Sequence, residues 1–357
     1  MSLVETRIQN LRAESNLDKY ELRPSRYGAF DTFMKQSEDA NGILTPELKA
    51  KAEQSIGSVI ETPVLDYDAD ITIGNKRTIT IPDSENTSHM QTITFATYAW
   101  GFTIVPSLYH NNEIGLQKDF NRKFMKYLYK FAQKLDETAL AALSTKKTQV
   151  MANKLLYDFT GNSINAEFTQ RENVFGDLEV MQAANDFYGS LDIVGDAGVE
   201  SIIKKLQQLG GNNYINKSNE FAGKSVHFTN NLASATGKYA QGYAVQEGSL
   251  GVLLRFEREC LRGTKMADGH EWGISELPLL GMPCGTYYYE GVGDETAIAG
   301  AASADMDRVV KQHYGFAVDV AFITPYNSDP ETIASPIIAF NISSANAKYG
   351  VPVVNVE

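Results

Sequence analysis

The residues of this chain most able to do chemistry are five histidines, two cysteines and a few glycine-flanked lysines and serines, so their spacing decides each case. A phosphate-binding loop needs a glycine, four residues, then Gly-Lys-Ser/Thr, so that backbone N–H groups cradle the anion. Gly223-Lys224-Ser225 supplies the second half, but Ser218 stands where the first glycine is required. Gly237-Lys238 is followed by Tyr239 and also lacks its partner glycine. His270-Glu271 has the start of a zinc-protease helix, yet no second histidine follows at the spacing that puts two imidazoles on one helix face. Ser249 sits in Gly248-Ser249-Leu250-Gly251, but Glu247 occupies the position where a nucleophile elbow needs glycine. Cys260 and Cys284 show no adjacent base, no metal-ligand spacing and no disulfide framework, which suits reduced, buried thiols. Asp66, Asp68 and Asp70 alternate along a strand start and suit a hard cation, but the loop glycine and distal glutamate of a calcium loop are missing. His89, His110, His227 and His313 are scattered. No catalytic set, cofactor site or metal site emerges, and the chain reads as a non-enzyme.

One charge pattern survives that search. Lys118, Arg122, Lys126, Lys130 and Lys134 recur at every fourth residue, with Lys123 beside them and Asp119 the single acid between 118 and 134. Such a stripe is a solvated face, a partner for another chain's carboxylates, or a surface facing a polyanion, where counterion release gives salt-sensitive, sequence-independent contact. The whole chain carries a formal net charge of −12, which argues against a general polybasic coat for nucleic acid. Its 43% apolar and 21% charged residues are ordinary globular values. A length of 357 residues allows two or three domains, or one domain with projections. No run approaches the roughly 18 apolar residues of a membrane span, and Met1 to Lys19 is charged without an apolar signal core. A soluble intracellular product is expected.

The elements that would position these residues follow from periodicity. Residues 1–61 read as an N-terminal arm with short helices. There Thr45-Pro46-Glu47 supplies an N-cap, a first-turn proline and a first-turn acid, and the helix should end near Gly57. Pro24, Ser25 and Gly28 suggest a segment that wraps along a surface and packs little core of its own. Residues 62–106 read as a long β-hairpin. Ile71, Ile73, Ile79 and Ile81 alternate with threonines, a polar tip runs from Pro82 to Ser88, and Ile93, Phe95, Ile104 and Val105 follow. After Pro106 the period becomes 3.6. Residues 112–145 read as one amphipathic helix, capped by Asn111 or Asn112, with Glu113 at its positive end. Leu116, Phe120, Phe124, Tyr127, Leu128, Phe131, Leu135, Ala139 and Ala142 form its single apolar stripe. From 151 to 325 helices (Leu178–Phe187, Gly198–Leu209) mix with short strands (Leu191–Val194, Ser225–Thr229, Tyr243–Val245, Gly251–Phe256, Gly285–Tyr289, Phe316–Phe322). Ile337–Ile342 is a final strand, and Val351–Val354 is placed to return to the sheet. The class is α+β. A hairpin this large cannot support itself, so it asks for a partner surface, most simply another chain.

The wording of several segments is also familiar. Leu65-Asp66-Tyr67-Asp68-Ala69-Asp70, Ile81-Pro82-Asp83-Ser84-Glu85-Asn86-Thr87 and Thr97-Tyr98-Ala99-Trp100-Gly101-Phe102-Thr103 with Val105-Pro106 are three such phrases. Asn111-Asn112 and Lys118-Asp119-Phe120 complete them. Together with the element order, they resemble the major capsid proteins of tailed bacteriophages (the Hong Kong 97-type, HK97-like fold), locally those of Bacteroidetes phages. The resemblance implies a structural protein that self-assembles into pentamers and hexamers of an icosahedral shell enclosing double-stranded DNA. It implies five regions: arm (1–61), extended hairpin or E-loop (62–106), spine helix of a peripheral domain (107–150), mixed α/β axial domain (151–325) and returning C-terminal strands (326–357). The hairpin would lie on a neighbouring subunit through Ile73, Lys76, Arg77, Ile79, Ile81, Glu85, Ile93 and Phe95. The stripe Lys118, Arg122, Lys126, Lys130 and Lys134 would face packaged DNA or a neighbour. Portal, scaffolding and decoration proteins would be further partners, with assembly in the host bacterial cytoplasm, no membrane and no cofactor. Some relatives crosslink a hairpin lysine to an asparagine, but no motif assigns that chemistry to Lys76 or Asn86. Two other readings stand beside this one: an encapsulin-like protein compartment, and an enzyme whose site is assembled from residues distant in sequence.

Overall fold

The computed structural model describes residues 2–15, 26–38, 42–54, 57, 59–65, 88–109, 112–147, 157–160, 162–185, 187–209, 220–221, 224–232, 236–294, 308–325 and 335–344. The helices are α1 (Leu3–Ser15), α2 (Gly28–Ser37), α3 (Pro46–Gln54), α4 (Glu113–Lys146), α5 (Val174–Ala184), α6 (Ala197–Leu209) and α7 (Arg258–Arg262). The first strands are β1 (Val59–Leu65), β2 (Ser88–Thr94), β3 (Ala96–Ile104), β4 (Asp158–Thr160), β5 (Ser163–Ala166), β6 (Leu191–Gly195) and β7 (Glu220–Phe221). They continue as β8 (Lys224–Phe228), β9 (Lys238–Gln246), β10 (Gly251–Arg255), β11 (Glu271–Leu277), β12 (Met282–Asp294), β13 (Arg308–Ile323) and β14 (Ile337–Ser343). The class is α+β, and residues group into two units: 1–23, 95–134 and 254–320 in the first, 24–94, 135–253 and 321–357 in the second. Residues 254–320, expected within a region running to 325, thus group with the first unit.

In the first unit an antiparallel sheet is built around β13. β3 pairs along one edge of it, from Ala96 opposite Val320 to Ile104 opposite Gln312. β12 pairs along the other edge, from Gly285 opposite Ala317 to Asp294 opposite Arg308, and β11 follows β12. Residues opposite one another in such a ladder share a sheet face. Trp100, Phe102, Phe316 and Tyr314 therefore line one face, and α4 packs there through Phe120, Phe124 and Phe131. Trp100 stacks on Phe316 at 4.1 Å, Phe102 meets Phe120 at 5.5 Å and Trp100 meets Phe124 at 5.5 Å. Each such ring pair adds about 1 kcal/mol beyond its burial. α1 is tied to α4 by Arg7, whose buried guanidinium donates to Gln117 Oε1 at 3.0 Å and pairs with Glu113, while Gln117 Nε2 donates to the Arg7 carbonyl.

The second unit contains a seven-stranded sheet in the order β4-β5-β14-β9-β6-β8-β7. Its core joins Ile193, Val226, Ala244, Phe340 and Ile342 of the sheet to Phe175 and Leu178 of α5 and Val199 and Ile203 of α6. The β1–β2 ribbon belongs to this unit too, pairing antiparallel from Val59 opposite Thr94 to Leu65 opposite Ser88.

Two sequence expectations change. The segment around Gly28, expected to pack little core, forms α2 and buries Ala29, Phe30 and Phe33 completely. Gly28 makes this possible, because a Cβ there would lie 2.7 Å from the His227 and Phe228 backbone. The long helix buries two stripes instead of one. Leu116, Phe120, Phe124, Leu128 and Phe131 are buried in its first part, but Ala132, Asp136, Ala139, Leu140 and Leu143 further on. At 100° per residue the second set is rotated by roughly 100–150° from the first. Tyr127, 38% exposed, and Ala142, half-buried, lie at the angles of the first set but are not buried with it.

Asp136 is the polar centre of the second stripe. Its Oδ1 accepts from the backbone N–H groups of Ala29 (2.9 Å) and Phe30 (3.1 Å) in the first turn of α2. Its Oδ2 accepts from Thr229 Oγ1 and from Asn231 Nδ2 at 2.7 Å. Burial pushes this carboxyl up, and the four donors oppose that by holding the anion. Asp136→Ala should destabilise the second unit by about 3 kcal/mol, since removing one side of a buried charged network strands its donors. Asp136→Asn should cost less; equal loss for both in urea unfolding would show that charge, and not acceptor number, sets the cost.

His227 of β8 is a second buried titratable group, beside Asp192 and Lys35. Burial lowers its pKa below 6.5, the Lys35 charge acts the same way and Asp192 opposes them. Asp192 is itself held by Gln36 Nε2 at 2.8 Å and Lys35 Nζ at 3.2 Å, so α2 is clamped to β6 and β8 here. Because the folded state resists protonation that the unfolded chain accepts, stability is complete above about pH 6.5 and declines as pH falls below it. The urea midpoint should drop between pH 7 and 5, with a shallower drop in His227→Gln; an unchanged slope in that variant would remove His227 from the effect.

Candidate interaction surface

The hairpin residues named from the sequence divide sharply. Ile73, Lys76, Arg77, Ile79, Ile81 and Glu85 lie outside the described residues, as do Asp66, Asp68, Asp70 and Asn86. Ile93 and Phe95 are described, and both are buried within their own units. Ile93 sits opposite Ile60 in the ribbon, and the Arg255 guanidinium lies 4.5 Å from the centre of the Phe95 ring. Arg255 is in turn held by Asp319 Oδ2, at 3.0 Å from Nε and 2.8 Å from an Nη. The apolar surface of these two residues is spent inside the chain.

The basic stripe is fully displayed. Lys118, Arg122, Lys126, Lys130 and Lys134 are all exposed along α4. Among the described residues no ion pair engages Lys118, Arg122, Lys126 or Lys130. Lys123 behaves differently, pairing with Asp119 at 2.8 Å and donating to the Thr103 carbonyl of β3 at 3.0 Å. Tyr127 lies nearly parallel to Trp100 (6.1 Å, 10°) and Phe102 (6.0 Å, 13°), so this flank of the helix overhangs β3. The sheet face away from α4 carries small residues next to β3: Ala99 and Gly101, then Gly315 and Ala317. A cavity of about 520 Å³ opens there, with Trp272, Tyr287, Glu257 and Cys260 among its lining. The sequence signal for this surface was the four-residue lysine spacing; the β3 edge and the cavity had none, because both depend on which strands pair.

The motif fragments are absorbed by packing. Lys224 is 4% exposed, donates to the Phe175 carbonyl at 2.7 Å and pairs with Glu179 at 3.0 Å. Ser249 Oγ donates to the Gln246 carbonyl at 2.7 Å, within the turn before β10. His270 Nδ1 and the Tyr287 hydroxyl share a 2.6 Å hydrogen bond, and the imidazole stacks on Tyr289 at 4.8 Å. Both cysteines are buried and free, and burial pushes the Cys284 thiol up to about 12. Among the described residues no group of three or more His, Cys, Asp or Glu is disposed to hold a metal ion, and no helix is long and apolar enough to cross a membrane.

No protein-family model matches the chain, and no curated protein matches it. Several solved structures are similar to it. One, from Microbacterium phage Oxtober96, is 14% identical with a TM-score of 0.44, over 86% of this chain and 95% of that one. Another, from Mycobacterium phage Cain, is 11% identical with a TM-score of 0.45, over 80% and 86%. The capsid of Ralstonia phage GP4 is 10% identical with a TM-score of 0.42, over 82% and 86%. The Bacteroidetes part of the sequence resemblance stays an expectation. These similarities to phage structures extend along most of the chain at low identity.

Proposed function

We propose that this chain is the major capsid subunit of a tailed bacteriophage, a structural protein that assembles into pentamers and hexamers of an icosahedral shell around double-stranded DNA. The observation that carries the reading is the order in the chain of the β1–β2 ribbon, strand β3 and the 34-residue helix α4. That passage coincides with the segments, residues 65 to 120, whose wording resembles such proteins. In this reading β3, α4 and β11–β13 form the peripheral domain, and the seven-stranded sheet with α5 and α6 forms the axial domain. Residues 62–106 are the E-loop, whose outer part crosses to a neighbour through Ile73, Lys76, Arg77, Ile79, Ile81 and Glu85. The exposed lysines and arginine of α4 meet packaged DNA or a neighbouring subunit. Portal, scaffolding and decoration proteins complete the particle, which assembles in the host bacterial cytoplasm.

The function lies in interfaces, so assembly is the quantity to measure. Wild-type protein should form large closed particles visible by negative stain, with nuclease-protected DNA when they are taken from infected cells. Replacing residues 71–86 by a short glycine-serine turn leaves the seven β1–β2 pairs intact. That variant should keep the wild-type circular dichroism and melting transition but remain in small species by light scattering. Normal shells from the shortened chain would end the assignment of the hairpin to assembly.

A further inference from the structure

The sheet face away from α4 is covered by rings over only part of its area. There Tyr289 lies nearly parallel to His313 (4.5 Å) and to His270 (4.8 Å), and Trp272 stacks on His270 at 5.8 Å. Tyr287 stands opposite Trp272 in the β11–β12 ladder, and its ring packs against Tyr289 at 6.1 Å. Side chains two apart on a strand share a face, so the next position beyond Tyr287 on this face is Gly285. Gly315 stands opposite Tyr287 and Ala317 opposite Gly285, so the aromatic cover ends in a floor of glycine and alanine. The cavity of about 520 Å³ opens over that floor. Its size falls within the roughly 300–1,000 Å³ of small-molecule sites.

The walls share one chemical character. Trp272 and Tyr287 meet at 49° with their centroids 5.1 Å apart, which makes an aromatic corner. The hydrogen bond between the Tyr287 hydroxyl and His270 Nδ1, 2.6 Å long, positions that wall before anything enters. Glu257 supplies the only charge among the lining residues. It is exposed and precedes α7, and its side chain makes no capping hydrogen bond to that helix. Among the described residues no ion pair engages it. Its field is felt inside the cavity: burial raises the pKa of the Cys260 thiol, and the Glu257 charge raises it further. Ring faces attract cations, most strongly at tryptophan, and a carboxylate adds to that attraction. An anion would be repelled by Glu257, and an apolar guest would strip water from the carboxylate without replacing it.

We infer that this cavity binds a small organic ammonium ion whose nitrogen carries methyl groups, with Trp272 and Tyr287 as its ring faces and Glu257 as its counter-charge. Methyl groups spread the positive charge over a surface that rings can cover, whereas a primary ammonium has three N–H donors to satisfy. The lining offers a single carboxylate, which suits the methylated cation. The two glycines keep the floor open. A Cβ on Gly285 would lie 2.8 Å from the Ala317 carbonyl oxygen and 3.2 Å from Cys260 Sγ, and one on Gly315 would lie 3.4 Å from the Tyr287 ring. The site lies within the first unit and does not depend on the proposed capsid function.

The test is calorimetric titration of the purified full-length chain with choline and with its uncharged isostere, in which a carbon atom replaces the nitrogen. Choline should bind about tenfold more tightly than the isostere. Glu257→Gln should remove most of that preference, with the isostere's affinity and the melting temperature unchanged. Ala99→Leu, at an exposed β3 position that lines the cavity, should weaken both ligands and also melt normally. Absence of choline binding, or equal affinity for choline and the isostere, overturns the inference. So does an unchanged preference in Glu257→Gln, and unchanged binding in Ala99→Leu places the ligand elsewhere with the same consequence. Tighter binding of butylammonium than of choline assigns the cavity to a primary amine and overturns the methylated class. None of these readouts involves particle assembly, so each outcome leaves the capsid function untouched.

Discussion

A single helix in this protein must bury one face over its first half and a different face over its second, and much of the arrangement follows from that. The first face takes Trp100, Phe102, Tyr314 and Phe316 against Phe120, Phe124 and Phe131. The second takes Leu140, Leu143 and the buried carboxylate of Asp136. A uniform amphipathic helix would serve only one sheet. α4 contributes residues to both units of the chain, and the flank between Lys123 and Lys134 is one of those that stay wet. The basic character of that flank is thus a consequence of how the other sides are used.

Asp136 shows how a polar residue can direct packing among apolar ones. A helix start leaves N–H groups without partners, and α2 begins against the strand backbone where water has little access. No side chain of α2 caps it, since Tyr27 makes no capping hydrogen bond. The carboxylate supplied by α4 accepts two of those N–H groups and also holds Thr229 and Asn231 beyond the end of β8. Lys35, Gln36, Asp192 and Ser225 repeat the arrangement at the far end of α2. Positions of this kind fix orientation, because the donors are satisfied in only one docking geometry.

Where the chemistry of enzymes would lie, this chain has packing: the lysine of the partial phosphate motif holds a carbonyl, and the serine of the partial elbow closes a turn. Surfaces tell more. An uncharged sheet edge among the described residues, a row of amines beside it and a cavity lined in part by alanines and glycines lie together in the first unit. They make a coherent surface only when considered together, since each is ordinary alone.

Local order was largely legible from residue pattern. The 3.6-residue period after Pro106, the Thr45-Pro46-Glu47 helix start and the apolar runs at Leu191, Val226 and Ile337 all correspond to elements at those places. So did the spacing of the lysines, because periodicity follows from backbone geometry alone. The sequence could not reveal that Gly28–Ser37 is core, because its burial depends on a carboxylate more than a hundred residues away. Nor could it show that α4 changes its buried side, or that Ile93 and Phe95 are consumed internally while β3, among the described residues, pairs on one side only. By itself the sequence determined which segments are helix or strand and where positive charge recurs. Only the tertiary structure decided which strand would be last in its sheet and which lysines would stand beside it, because strand pairing and helix docking join residues that local periodicity cannot connect.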